Sequence, residues 1–297
     1  MRLGLQLPSF SFPGGANALR SRLVEIAQAA DANGLESLWV MDHLFQLPED
    51  TGWGGPEEPM LEAYATLGFL AGVTSRVRLG ALVGCALFRS PGLLVKTATT
   101  VDVLSGGRLT FGIGAGWYTR EALGLGIEFP ERRERFVRLE ETLRVAHQLW
   151  ADDRSPIDAA GATLAEPIIR PQPLSRPHPP IMIGGNGERR TLRLVARYGD
   201  ACNFLVLEPH EIRAKLDVLR AHCEDVGRDP GEIEITALDE IDLRPGRMSV
   251  ADVVARARAQ ADAGVQHLIV NMPDAWDVRH LELLGREVVP QIERIAA

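Results

Sequence analysis

In the stretch WVMDHLF, residues 39–45, an acid and a histidine follow directly on an apolar run, Ser37 to Met41, that reads as a buried strand. An imidazole placed there can take or give a proton near neutral pH, or hydrogen-bond a cofactor ring. His43 is therefore the candidate catalytic residue. The bland alternative is a loop histidine satisfied by solvent or by a backbone carbonyl. Asp42 reads either as the group that orients the imidazole or as a cap on the following segment.

A second segment, IGGNGERRTLRLVARYGD at 183–200, ends a strand in glycines and moves at once into a helical pattern. Backbone N–H groups and a helix dipole then converge on Gly185, Asn186, Gly187 and Glu188, an arrangement suited to a phosphate. Arg189 and Arg190 fall in the expected first turn, where cations oppose the dipole. A nearby anion would relieve that conflict, and a solvated face would also account for them. The glycines of FGIGAGW, 111–117, are weaker evidence, because glycine equally serves close packing between strands.

Other chemistries lack their residues. There is no GxSxG elbow and no HExxH pair, and the seven histidines have no metal-ligand spacing. A metal-dependent hydrolase is thus left without ligands, and no metal is expected. The acids and arginines of ERRERFVRLEE alternate at helical spacing, which reads as an ion-paired helix face.

These residues need elements to position them. Apolar runs at RLGLQLP, ESLWVMD, VRLGALVG, GRLTFGIGAG, PIMIGG, DACNFLV, EIEITALDE and QHLIVNM read as eight strands. Helical patterns follow each, at 18–33, 60–74, PGLLVKTATTVDVLS, 131–153, ERRTLRLVARYG, PHEIRAKLDVLRAHCEDVG, SVADVVARARAQADAG and from Arg279 onward. Near-continuous apolar strands such as SLWVM fit a parallel sheet covered on both faces. Eight such units predict a closed α/β barrel, a (β/α)8 TIM barrel, whose chemistry sits where strands end. An open doubly wound sheet is disfavoured, because LPSFSFPGG after the first strand is not a dinucleotide turn. Six prolines within 154–179 break the alternation and mark an excursion holding two short strands, with 1–297 expected to form one barrel domain.

The net charge of −8 argues against a general nucleic-acid or anionic-membrane binder. Three scattered cysteines, Cys85, Cys202 and Cys223, fit reduced thiols, and MRLGLQLPSF has no signal-peptide core. A cytoplasmic protein without a membrane span is expected.

The series RLGLQLP, LESLWVMDHL, TSRVRLGALV, VKTATTVDVLSGGRLTFGIGAGWY, RFVRLEETLRVAHQLW and PPIMIGGNGERRTLRLVARYGDACN keeps its order along nearly the whole chain. It resembles the bacterial luciferase-like monooxygenase family, and within it the F420-dependent oxidoreductase branch. The resemblance implies a TIM barrel with insertions, a homodimer, and coenzyme F420 at the carboxyl end of the strands, with FMN as the alternative cofactor. An F420 enzyme would move a hydride to or from an organic small molecule. The FMN alternative would use oxygen with a reductase partner, and a third reading is a cofactor-free subunit with a degraded site.

By the same resemblance, His43 lies near the reactive ring. A non-prolyl cis peptide at Leu82–Val83, just before Gly84, backs the ring. Ala115, Gly116 and Trp117 lie close to it, and the turn from Gly185 to Glu188 holds the phosphate. Two departures stand out. Sugar-phosphate dehydrogenases of the family have glutamate at the position of Trp117 and tryptophan at that of Leu47, so their substrate and acid–base scheme are not carried over. Glu121, on the same loop, is not expected to supply the missing carboxylate. Phe10, Phe12, Trp53, Phe88 and Trp117 are expected to form an apolar mouth suited to a hydrophobic substrate.

Overall fold

The computed structural model describes residues 1–295. Eight parallel strands close into a barrel: β1 (Arg2–Leu7), β2 (Ser37–Val40), β3 (Arg78–Ala81), β4 (Leu109–Gly114), β5 (Ile181–Gly184), β6 (Ala201–Leu205), β7 (Glu234–Glu240) and β8 (His267–Asn271). Neighbours run in sequence order, β1 pairs with β8, and the register Leu79↔Leu109 between β3 and β4 completes the ring. The expected (β/α)8 TIM barrel is the observed fold.

Helices α1 (Gly15–Ala32), α2 (Ala63–Val73) and α3 (Pro91–Leu104) follow the first three strands. The short α4 (Thr119–Gly124) and the long α5 (Arg132–Trp150) follow β4, and then come α6 (Thr191–Tyr198), α7 (Pro209–Val226) and α8 (Val250–Asp262). The longer helices bury apolar stripes on the barrel, as Leu23, Ile26, Ala27 and Ala30 do for α1. Several boundaries shift from the sequence pattern. The second helix starts only at Ala63, because the Glu62 side chain caps it by accepting from the Ala65 N–H at 2.6 Å. The last helix is not continuous: Val278–Leu283 passes into a π turn, Leu284–Val288, and resumes at Val289–Ile292. Pro290 lacks the N–H that an unbroken helix would need there.

The proline-rich excursion carries the expected two short strands, an antiparallel hairpin of Ile157–Ala159 with Ala162–Leu164. Its return leg is tied to the barrel by the buried Asp102 of α3. That carboxylate accepts from the Leu174 N–H at 2.7 Å, the Ser175 N–H at 3.0 Å and the Ser175 hydroxyl at 2.6 Å. Peptide bonds Leu82–Val83, Arg170–Pro171 and Arg176–Pro177 are cis.

The barrel interior is packed, not hollow. Trp39 lies inside with Leu82, Met182, Ala201, Leu238 and Ile269. No described helix is long and apolar enough to cross a membrane. All three cysteines are buried and unbridged.

Candidate active site

The carboxyl ends of the strands surround a cavity of about 630 Å³, a size that suits a cofactor or a small substrate. His43, just beyond β2, lines it. Its Nδ1 lies 2.7 Å from Oε1 of Glu121, whose side chain is 1% exposed. The other oxygen of Glu121 accepts from the backbone N–H of Leu44 at 2.6 Å and of Phe45 at 3.2 Å. A carboxylate accepting at all three contacts puts the hydrogen on Nδ1. Nε2, which has no protein partner among the described residues, is then the free acceptor. This is the base-and-orienter logic of catalytic triads, with the carboxylate fixing tautomer and ring plane.

Glu121 is the residue that sequence reasoning misjudges. Trp117 gives His43 only an edge-on ring contact, with centroids 5.6 Å apart. The carboxylate comes instead from one turn later, on α4. A signal was present: Glu121 is the sole acid between Ala115 and Ile127.

Asp42 takes neither expected role. Its Oδ2 accepts from the Cys85 N–H and the Arg89 guanidinium, each at 2.8 Å, and its Oδ1 accepts from Arg89 at 2.9 Å. Glu62 meets the same guanidinium. Asp42 therefore pins the segment after the cis bond and does not touch His43. Cys85 also lines the cavity, but burial pushes its thiol up to about 12, so it is protonated at neutral pH and is no nucleophile.

The glycines of FGIGAGW serve close packing. A Cβ on Gly114 would sit 2.9 Å from a methyl of Val83, and one on Gly184 would sit 2.8 Å from the other. The Val83 side chain wedges into this bare patch, so that Leu82, Val83 and Gly84 present one wall of the cavity. Ala115, Gly116 and Trp117 continue it.

Across the mouth, Gly185, Asn186 and Gly187 line the same cavity. The Asn186 amide is fully engaged with the Leu205 backbone, donating to its O and accepting from its N–H, both at 3.0 Å. Among the described residues the N–H groups of Asn186 and Gly187 have no protein acceptor. Thr191, unremarked in the sequence, joins the lining. Glu188 does not: its carboxylate points to an adjoining groove and pairs with Lys215 at 2.6 Å. Arg190 is the N-cap of α6 and Arg189 precedes it, rather than both occupying its first turn, so these cations still stand at the positive end of the helix dipole.

Sequence reasoning also misses a polar floor. Gln6 and Asn271 are register partners on β1 and β8, and both line the cavity. The Gln6 amide nitrogen donates to Leu82 O at 2.9 Å, which fixes its orientation. Its Oε1 and the Oδ1 of Asn271 are buried without partners. Buried acceptors of this kind await a donor, and here they face the cavity. Trp53 and Phe88 reach the mouth as expected. Phe10 and Phe12 do not, being 2% and 7% exposed and packed edge-to-face in the core.

One further constellation imitates a hydrolase. Ser37 Oγ lies 2.9 Å from His267 Nε2, and His267 Nδ1 lies 3.4 Å from Glu234. It sits at the amino ends of the strands, the Ser37 hydroxyl accepts from Trp39 Nε1 at 2.6 Å, and Ser37 is fully buried. No substrate reaches it. No cluster of three or more metal-ligating side chains exists among the described residues.

A parallel barrel with its cavity at the carboxyl ends of the strands and a carboxylate-backed imidazole on the rim has the architecture of a TIM-barrel enzyme. Residues 1–285 match the luciferase-like monooxygenase family, and the chain belongs to it. It is 30% identical over 243 residues to an F420-dependent glucose-6-phosphate dehydrogenase of Kineococcus radiotolerans, a match spanning 80% of this chain and 66% of that protein. Among solved structures, it resembles the coenzyme F420-dependent tetrahydromethanopterin reductase of Methanopyrus kandleri, with TM-score 0.78 at 16% identity, covering 98% and 99% of the two chains. The oxygenating constituent of 3,6-diketocamphane monooxygenase from Pseudomonas putida, solved with FMN, gives TM-score 0.73 at 16% identity over 98% of each chain. At such identities the two structures speak to the fold alone.

Proposed function

We propose that this chain is an F420-dependent oxidoreductase that moves a hydride between the deazaflavin and an organic small molecule. The observation that carries the reading is the shared cavity: His43, backed by Glu121, and the glycine turn at 185–187 line one space. Curated relatives named as F420-dependent glucose-6-phosphate dehydrogenases favour F420 over FMN.

The residues present fit such a cofactor. Leu82, Val83 and Gly84 would back a flat ring, with Ala115, Gly116 and Trp117 beside it. The unpartnered oxygens of Gln6 and Asn271 suit the N–H edge of a heterocycle. The open N–H groups of Asn186 and Gly187 suit a phosphate. When bound, the deazaflavin supplies the carbon that accepts or donates hydride.

The protein's part is placement and proton handling. His43 Nε2 takes a proton from the substrate or returns one, and Glu121 balances the imidazolium that forms. Leu47, Trp53, Phe88 and Trp117 give the mouth an apolar lining, which suits a hydrophobic substrate rather than a sugar phosphate. The chain acts as one catalytic domain, as a homodimer, in the cytoplasm.

Titration of the purified protein with F420 and with FMN tests this. The expected result is micromolar or tighter F420 binding and weaker FMN binding. Tighter FMN binding transfers the protein to the oxygen-using monooxygenases, and binding of neither makes it a cofactor-free subunit. Sedimentation measures the dimer.

A further inference from the structure

Three carboxylates line the reaction cavity: Asp42, Glu121 and Glu240. Asp42 is taken by Arg89 and Glu121 by His43. Glu240, the last residue of β7, has no cation partner among the described residues. The arginines closest to it in sequence are engaged elsewhere: Arg244 and Arg247 turn to Asp242, and Arg256 to Asp239.

Glu240 does not stand alone on its wall. It is the register partner of Asn271 on β8, which is in turn the register partner of Gln6 on β1. All three line the cavity, and Oδ1 of Asn271 and Oε1 of Gln6 are buried without hydrogen-bond partners. Three adjoining strands thus present a row of acceptors that ends in a negative charge. The cavity's arginines stand on another side, where Arg135 donates to Gly116 O after β4 and Arg132 lies beside Gly187 after β5.

Strand order says what Glu240 faces. In the closed ring of eight, β7 is four strands from β3 in either direction. β3 leads into the wall of Leu82, Val83 and Gly84, against which the deazaflavin ring would rest. The opposite face of that ring looks toward β7. A substrate on this free face, within reach of His43 beyond β2, meets the end of β7.

We propose that Glu240 selects a substrate carrying a cationic nitrogen, an ammonium or protonated ring amine, on an apolar body. The inference rests on the deazaflavin reading above. A substrate that covers Glu240 strips water from its carboxylate, and a neutral body leaves that charge unpaired. An ammonium supplies both the counter-charge and N–H donors for an acceptor-only group. An anionic substrate is rejected by like charge. The rings at the mouth, Trp53, Phe88 and Trp117, suit the same ligand, because cations lie favourably over aromatic faces.

The test compares phenethylamine, phenethyl alcohol and phenylacetate, which share an apolar body and differ in charge. F420 affinity is first measured for wild type, Glu240→Gln and Glu240→Asp. Each probe is then titrated calorimetrically at neutral pH into the F420-loaded proteins, at low and high salt. All three proteins are expected to bind F420 alike. Wild type should bind the amine at least about tenfold tighter than the alcohol, and the acid most weakly, with the amine's lead shrinking as salt rises. Glu240→Gln keeps the size and loses the charge, so it should abolish that lead without weakening the alcohol, and Glu240→Asp should restore part of it. A wild type that binds the amine no better than the alcohol, or binds none of the probes, overturns the assignment. So does an amine preference that survives in Glu240→Gln. Weaker F420 binding by Glu240→Gln also overturns it, by placing the carboxylate on the cofactor. In each of these cases the cofactor reading stands. If wild type does not bind F420, that reading falls and the assignment with it.

Discussion

The imidazole of His43 is held through Nδ1 by Glu121, at 2.7 Å and from 78 residues away in sequence. That contact decides which ring nitrogen faces the cavity. Replacing Glu121 with glutamine keeps an oxygen for the Leu44 and Phe45 N–H groups but lets the imidazole adopt the wrong tautomer. Turnover should fall by about a hundredfold or more, with KM changed far less. Steady-state kinetics on a confirmed substrate measures it, and unchanged turnover would reduce Glu121 to a loop anchor. His43→Ala should lose at least about tenfold.

The glycine patch under Val83 makes a size-complementation test possible. Gly184→Ala places a methyl about where the Val83 methyls sit and should cost about 1–3 kcal/mol with weakened cofactor binding. Adding Val83→Ala should restore much of both, since the nearest remaining Val83 atom is its Cβ at 3.4 Å. Denaturant midpoints and cofactor titrations read the two effects. A double variant no better than the single would refute the wedge.

Asp42 and Arg89 form a buried pair whose disruption leaves a guanidinium without its main partner. Asp42→Ala should destabilise by about 3 kcal/mol, toward the lower end for a broken buried pair because Glu62 stays beside Arg89. Urea unfolding measures this. A loss under about 0.5 kcal/mol, typical of an ordinary surface site, would contradict the pinning role.

Acid stability should depend on Glu234. Burial pushes this carboxyl up, but the hydrogen bond from His267, with the charges of His267, Arg2 and Arg78, outweighs burial and leaves it below its ordinary value of 4.5. A group whose folded pKa is depressed stabilises above the unfolded value, and that contribution is lost as pH falls through the folded one. Wild type should therefore lose stability below about pH 4.5. Glu234→Gln should be less stable at neutral pH and show a shallower acid limb. Parallel limbs in pH-dependent denaturation would exclude Glu234 as a source.

The barrel was legible because strand and helix patterns alternate eight times, and barrel geometry alone put His43 and the glycine turn at one mouth. What stayed hidden depended on which residues meet across the fold. Glu121 reaches His43 from α4, 78 residues on, and Asp42 meets Cys85 and Arg89 from the segment that follows the third strand. Helical spacing suggested an ion-paired face on α5, and Arg138 does pair with Glu134 as that spacing predicts, but Arg132 and Arg133 at the start of the helix have no carboxylate partner among the described residues. Phe10 and Phe12 follow the first strand, which suggested the mouth, but their rings turn inward to the core.

Glycine-rich segments are ordinarily the supple parts of a barrel rim. Here the Asn186 amide stands in for a missing rung of the sheet and bolts the turn to β6 at Leu205. The entropy of ordering that turn is surrendered when the chain folds, before any ligand arrives. Grip at this end should then track the charge an incoming group carries, with little rearrangement of the backbone that receives it.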